Sequence, residues 1–535
     1  MNKKISIEEL SNRVLQELHK KHRDKSLEIM VVAVKELYTI YTIKNDLKVE
    51  MWVYENGIYI PHGKSCVKEL CRVILKKAYS SQLSNAVISR IEVDTYIKQE
   101  DFFKEKYIDE IPVQNGILNI QTKKLSPFTP KKIFFGKIPV KYDSKAKCQK
   151  ITNFFEDVLR EKEDVLVMFE LAGFGLLKEY RYEKAVMFSG FGRNGKGKSI
   201  LLLKMLVGSE NCASIPIHAL KHDSFAICEL FGKLFNLGGD LSSIDFKETS
   251  VFKGLTGRDP INAKRKFLSD LIFQNYAKMV FACNELPKVY DFSEGFWSRW
   301  ILLDFPYKFV PKKEYEKTPK NERKFLKIMD PQIIEKVATP EELSGFLNEA
   351  LKGLERLQKN RDFSYTKGSA EIKEEWVRKS DSFTAFCMDC LVDNPEGVIL
   401  KSDLRKAFHK YCKKYKVIRG SSDKNIKVIL QEMFGAIEDR ITVNEIMSYV
   451  WEGIGFNPKY QGCYGFSTYI KNVSFTLGAN YPSNLSILNK KNNNSFEKCY
   501  RCGGILNENE IKLYKIGNNF FHKNCYEKMK EVMKK

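Results

Sequence analysis

The stretch Phe188-Ser189-Gly190-Phe191-Gly192-Arg193-Asn194-Gly195-Lys196-Gly197-Lys198-Ser199 decides the reading of this 535-residue chain. It follows the apolar run Ala185–Phe188 and precedes the helical run Ile200–Leu206. Glycines in such a loop let backbone N–H groups converge on phosphate oxygens. The helix N-terminus behind them adds the positive end of its dipole, and a lysine neutralises the β/γ-phosphate charge. Two registers fit. Gly192-x4-Gly197-Lys198-Ser199 completes the pattern, with a hydroxyl for Mg²⁺. Gly190-x4-Gly195-Lys196 also fits, but Gly197 then stands where the hydroxyl belongs.

Outward from the loop, residues 184–309 alternate apolar strand candidates with loops and helices. Leu234–Leu237, Lys278–Phe281 and Trp300–Leu303 join Ala185–Phe188 as strands, which predicts an α/β nucleotide-binding domain. An ATPase of this kind needs an acid at a strand end to hold Mg²⁺ or to polarise the attacking water. Asp240 stands there, after an apolar strand and the two glycines Gly238 and Gly239. Asn284 ends the next strand, where an amide orients the water or touches the γ-phosphate; the alternative is a capping Asn before Pro287. Arg299 lies among Phe296, Trp297 and Trp300. It is either a packed surface arginine or an arginine finger offered to a neighbouring subunit.

Five motifs now stand in order. They are Gly190-x-Gly192-Arg193-Asn194-Gly195-Lys196, then Gly238-Gly239-Asp240-Leu241-Ser242, then the run Phe252–Phe267. Asn275-Tyr276-Ala277-Lys278 with Ala282–Pro287 follows, and Gly295–Trp300 closes the series. Together they resemble the superfamily 3 helicases of viruses and plasmids, in the phage/plasmid and poxvirus-type primase–helicase branch. The likeness is best over 184–309. It extends weakly upstream to Val113–Ile120, Pro127 and Pro130, which resemble the domain that commonly precedes this helicase core.

The resemblance implies an AAA+-like ATPase, usually a hexameric ring, that translocates on single-stranded DNA. It implies Asp240 as the Walker B acid, Asn284 as sensor 1 and Arg299 as the arginine acting in trans. The family's Asn-Gly-Lys spacing favours Lys196 over Lys198 as the phosphate lysine. Two departures stand out: Ser298-Arg299 replaces a common pair of arginines, and Gly197 replaces the usual hydroxyl. Lys264-Arg265-Lys266 falls in the segment that forms a pore-facing hairpin in such helicases, where three cations would grip successive phosphates; the bland alternative is a solvated basic turn. No Asp-x-Asp pair precedes the loop. The nearest pattern, Glu92-Val93-Asp94, reads as a solvated edge, so primer synthesis by this chain is not expected.

Composition bounds the rest. Lys and Arg number 89 against 67 Asp and Glu, a formal charge of +22, which points to a polyanion partner, nucleic acid before membrane. At 43% hydrophobic residues the chain has enough apolar material for packed cores. No clean span of about 20 apolar residues occurs, and acids follow the N-terminal lysines where a signal peptide has its apolar core. The expectation is a soluble protein of the cytoplasm, the host's if the gene is viral or plasmid-borne. Thirteen scattered cysteines argue against a disulfide framework.

The expected organisation has six parts: an α+β N-terminal domain over 1–150, an AAA+-like P-loop ATPase core over 151–310, and a helical connector over 311–375. A winged-helix-like DNA-binding domain over 376–460, a linker over 461–495 and a zinc-finger-like module over 496–535 complete it. Residues 1–45 read as helical. Met51–Ile60 reads as a hairpin turning at Asn56-Gly57, and a second such turn is expected at Asn115-Gly116. The basic helix Lys401–Lys414 could lie on DNA, and Cys387 with Cys390 read as core. Cys499-x2-Cys502-x19-His522-x2-Cys525 offers three thiolates and one imidazole, a ligand set for a closed tetrahedral Zn²⁺.

The sequence thus favours an ATP-dependent replicative DNA helicase of a virus or plasmid. Its expected substrates are single-stranded and forked DNA, and its expected partners are copies of itself and a primase or other replication proteins. The alternative is an ATP-switched DNA-binding initiator or regulator without processive unwinding.

Overall fold

The computed structural model describes residues 6–44, 49–217, 219–222, 224–241, 249–265, 270–289, 291, 293–415, 423–443, 446–458, 466, 468–470, 514–516 and 519–521. Two compact units divide the chain, residues 1–471 and 472–535. In the second, Tyr514–Ile516 pairs antiparallel with Asn519–Phe521.

The central sheet of the first unit grows from the uninterrupted apolar runs. In chain order its neighbourhood comprises helix α1 (Lys162–Leu176), strand β1 (Ala185–Ser189), helix α2 (Lys196–Val207), β2 (Cys212–Ala213) and β3 (Phe235–Leu241). Helix α3 (Ser250–Thr256), β4 (Pro260–Ala263), β5 (Leu271–Gln274), β6 (Lys278–Cys283) and β7 (Trp300–Asp304) follow, then helices α4 (Pro340–Asn360) and α5 (Ser369–Ser380). The sheet order is β7-β1-β6-β3-β2, all parallel, while β4 and β5 form a separate antiparallel hairpin. Every residue of β1 and β6 is buried, as expected of parallel strands covered on both faces.

Register puts the strand ends on one rung. Leu241 pairs with Cys283, Cys283 with Ser189, and Ser189 with Asp304. The expectation that Gly238-Gly239 ends its strand is corrected: β3 runs through both glycines and Asp240, with a register shift between Gly238 and Asp240. With no side chains to clash, the glycines absorb that irregularity without breaking the strand.

Helix α4 starts as its sequence dictates, with Thr339 accepting from the Glu342 N–H and Pro340 in the first turn. It crosses α1 at backbone contact. A Cβ on Gly173 would lie 2.2 Å from the Ala350 carbonyl oxygen, and one on Gly353 would lie 2.4 Å from that of Phe169. Beside this crossing the fully buried Glu170 accepts from Arg356 Nε at 2.6 Å, Ser364 N at 2.8 Å and Ser364 Oγ at 2.6 Å.

The N-terminal part packs helices Ile7–His19, Arg23–Leu37, Gly63–Leu75 and Ser81–Asp94 around a core reaching from Leu10 to Ile91. Its sheet orders Ile58–Ile60, Glu50–Glu55, Ile40–Ile43 and Tyr96–Ile97. Residues 40–43 are thus a strand inside the region expected to be helical. The β-branched Ile40, Thr42 and Ile43 are buried there against the neighbouring hairpin. The Asn56-Gly57 turn is present, with φ of 48° and 99°. The second turn falls one residue earlier than expected, since Gly116 already pairs with Val113. One continuous core runs from Ile111 to Val377, so residues 111–140 pack with the central sheet.

Between 311 and 375 a strand, Leu326–Ile328, pairs with Lys308–Val310 among the helices. Beyond α5, helix Ser382–Cys390, strand Leu391–Leu400, helices Lys401–Tyr415 and Asp423–Phe434, and strand Ile446–Phe456 share one core, and strand Ile437–Val443 pairs antiparallel with the last of these. The sequence places strand candidates in this region only around Ile441–Val443 and Tyr449–Ile454, so strand 391–400 has no counterpart there. Its polar middle, Asp393–Glu396, masks the apolar ends. Cys387 and Cys390 are buried in that core. Burial pushes the Cys387 thiol well above its ordinary range, which keeps it protonated and inert.

The α1–α4 crossing carries a stability prediction. Gly173→Ala should lower the thermal midpoint by an amount equivalent to about 1–3 kcal/mol, because both backbones must part. Gly197→Ala, whose new Cβ meets nothing within 4 Å, should be neutral or stabilising by about 0.5–1 kcal/mol.

Candidate functional site

The glycine loop spans residues 190–195, from the end of β1 to the start of α2. Gly190 and Gly195 have φ of 149° and 95°. The Gly195 position also has no room for a side chain, since a Cβ there would lie 2.5 Å from Val158. Asn194 is 2% exposed and braces the loop from inside, donating from Nδ2 to the Phe305 carbonyl at 3.2 Å. Phe309 N donates to the Arg193 carbonyl at 2.7 Å, tying the loop to the chain beyond β7.

The two lysines part company. Lys196 is 4% exposed and its ammonium donates to the Gly190 carbonyl and, at 3.1 Å, to Asn284 Oδ1. Lys198 is exposed. Asn284 Oδ1 also accepts from Gly192 N at 3.2 Å. One neutral oxygen therefore gathers a loop amide and the buried ammonium. These are the two kinds of donor that a phosphate oxygen takes at a helix N-terminus.

Ser199 is fully buried and its hydroxyl donates to the Gly195 carbonyl at 3.2 Å, within its own helix. Gly197 is exposed with open space around its Cα. The backbone of Asp240 pairs with Ala282 at the loop end of the sheet. Glycine loop, Asp240 and Asn284 thus share one end.

Arg299 does not. Its carbonyl accepts from Ala185 N, at the opposite end of β1, about 13 Å from Ser189 at 3.3 Å per residue. Its guanidinium donates to Glu183 Oε2 at 3.0 Å, Thr256 Oγ1 at 3.1 Å and the Gly295 carbonyl.

Of the expected DNA cluster, Lys264 is exposed and Lys266 lies outside the described residues. Arg265 corrects the expectation of a cation open to phosphate. Its side chain is 11% exposed; Nη1 donates to both carboxylate oxygens of Glu50, at 2.9 and 3.1 Å, and Nη2 to Gln99 Oε1 at 3.3 Å. The N-terminal part thus holds the connecting end of the hairpin, where Gln99 Nε2 also donates to the Asp270 carbonyl at 3.1 Å. Glu92 and Asp94 lie on helix Ser81–Asp94, paired with Lys64 and Lys35. Cys499, Cys502, His522 and Cys525 lie outside the described residues.

Sequence reading missed Asp304. It ends β7 and takes Ser189 Oγ and Lys379 Nζ, each at 3.3 Å, beside the loop. Its signal was the one used for Asp240, an acid closing an apolar strand. It also missed Asp164 in the first turn of α1. Burial, with Glu161, Asp304 and Glu163 adding to it against Lys367, pushes this carboxyl up to about 6 from an ordinary 3.8.

Two family models match separate parts of the chain. The one described as D5 N terminal like matches residues 11–160, and a family of unknown function (DUF5906) matches 191–299. The chain is similar to "Putative helicase L207/L206" of Acanthamoeba polyphaga mimivirus, 27% identical over 242 residues. That match covers 43% of this chain and spans a quarter of the relative's length. Two apo structures of the NrS-1 C terminal region align over 79% and 80% of this chain and 98% of theirs. Their TM-scores are 0.42 and 0.39, at 12% and 11% identity. Among the described residues no helix is long and apolar enough to cross a membrane.

Asp164 makes the stability pH-dependent. A carboxyl whose pKa is raised on folding stabilises fully below its unfolded value, and that contribution is lost as pH rises through about 6. Asp164→Asn should therefore gain stability over the wild type at pH 8, on the order of 1 kcal/mol after discounting partial exposure. The gain should vanish near pH 4, as read by denaturant titration at both values.

Proposed function

We propose that this chain is an ATP-dependent DNA helicase of a viral or plasmid replication apparatus, working as a ring on single-stranded DNA. The observation that carries the proposal is the convergence of Gly192 N–H and the Lys196 ammonium on Asn284 Oδ1 at the N-terminus of α2. The D5-type match and the similarity to a viral protein named as a helicase support the same class.

In this reading an ATP γ-phosphate displaces the Asn284 oxygen and takes over its donors. Lys196 neutralises the developing charge, and the freed Asn284 amide orients the attacking water. Asp240 would hold Mg²⁺, which polarises the phosphate when bound; Ser199 would join it only by turning from the Gly195 carbonyl. Arg299 is too far from its own loop to act there. It would serve a neighbouring copy in a hexamer, exchanging Glu183 for phosphate. The β4–β5 hairpin would touch the single strand, with Lys264 as its described open cation. The region 382–456, a helix, a strand, two helices and two antiparallel strands, would serve as a winged helix and hold the fork outside the ring.

Steady-state ATPase and forked-duplex unwinding test this reading together. Lys196→Ala should lower kcat/KM for ATP by about 10–100-fold, the value of a charge-assisted contact, and abolish unwinding; Lys198→Ala should change either by less than about threefold. The reverse ranking would overturn the site. ATP turnover stimulated by single strands but without strand displacement on any fork would favour the ATP-switched initiator.

For the C-terminal module we propose structural Zn²⁺ on Cys499, Cys502, His522 and Cys525. Purified protein should carry about one zinc per chain by atomic emission, and Cys499→Ser should lose it. Zinc-free protein with an unchanged melting profile would exclude the site.

A further inference from the structure

The segment 284–299 begins at Asn284 in the glycine-loop site and ends at Arg299 across the sheet. Midway stands Asp291. Its Oδ2 accepts from Lys253 Nζ at 2.9 Å and from Thr249 Oγ1. Thr249 is the N-cap residue of α3 and Lys253 lies one turn in. Its Oδ1 accepts from Ser293 N at 2.8 Å and Ser293 Oγ at 2.5 Å, and its carbonyl accepts the Trp297 indole N–H at 2.8 Å. Burial alone would push this carboxyl up. The hydrogen bonds from Ser293, Thr249 and Lys253 outweigh burial and hold it well below the usual carboxylate range. It is therefore ionised, and it binds α3 to this segment by charge as well as by geometry.

Helix α3 leads, after a three-residue link, into β4 of the hairpin. We infer that Asp291 is a positioning residue that carries the state of the nucleotide site to the β4–β5 hairpin. It clamps α3 to the segment that starts at Asn284. The inference rests on the functional reading above and deepens it. When phosphate takes the donors of Asn284 Oδ1, the end of β6 and the chain after it shift. Through Lys253 and Thr249 the helix follows, and the hairpin with it. Two other contacts keep α3 in place without Asp291: Arg299 Nε donates to Thr256 Oγ1, and Asn275 Nδ2 donates to the Leu255 carbonyl at 2.9 Å. Loss of the clamp should thus cost transmission before it costs the fold.

The test is ATPase of the full chain with and without an oligo-dT single strand. In Asp291→Asn, DNA-free kcat and the KM for ATP should stay within about twofold of wild type, while stimulation by oligo-dT falls at least about fivefold. Lys253→Met should reproduce the loss, and Asp291→Glu should restore most of the stimulation. Unchanged stimulation in Asp291→Asn and Lys253→Met would overturn the inference. So would a parallel fall of basal and stimulated rates with a lowered thermal midpoint, the mark of a merely structural residue. A wild-type chain that hydrolyses no ATP, or hydrolyses it with no response to the strand, would sink the helicase reading itself.

Discussion

The carboxamide oxygen of Asn284 is the contact on which the candidate site depends. It is placed by sheet register, because Cys283 opposes Ser189 and the next residue on each strand enters the loop region. It meets the Gly192 amide and the nearly buried Lys196 ammonium. A lysine so enclosed is costly unless its protons are accepted, and the Gly190 carbonyl and Asn284 both accept them. The loop conformation, the buried lysine and the strand end are thus one arrangement. The braces from Asn194 to Phe305 and from Phe309 to Arg193 fix its outer side.

Charge has a similar double use. Part of the cationic inventory behind the +22 surplus is engaged in holding the chain together. Lys278 is fully buried, donating to the Leu177 and Tyr276 carbonyls beneath the rings of Phe174 and Tyr180, and burial drives its pKa well down. Lys178 pairs with Glu105 and Arg265 with Glu50. The exposed cations of helix Lys401–Tyr415, among them Lys406, Lys410 and Lys413, remain on its outer face opposite Leu404, Phe408 and Tyr411.

Four of the five central strands were legible because parallel strands buried on both faces read as largely apolar runs, although β3 runs on to Leu241, past its expected end, and the short β2 had no counterpart in the sequence reading. The loop was legible because glycines at 190, 192 and 195 are needed for a specific backbone path. The plain pattern left Lys196 and Lys198 open and only the family resemblance favoured Lys196; which lysine turns inward is decided by tertiary packing. Arg265 could not be read correctly from a run of cations, since its partner Glu50 is 215 positions away. The strand at Ile40–Ile43 was hidden because its burial is supplied by the hairpin that follows it. Asp304 was overlooked although it satisfies the rule that singled out Asp240.

Arg299 gives the sheet's two ends a relation. Within one chain it donates to Glu183, Thr256 and the Gly295 carbonyl, so it is one of the restraints on α3. An arginine lent to a neighbour withdraws that restraint from its own subunit. Under the proposed function, self-association and the freedom of the hairpin would then be linked quantities, and by reciprocity whatever shifts α3 would change how readily Arg299 is lent. In the proposed ring, each subunit's internal stiffness would therefore be set in part by the company it keeps.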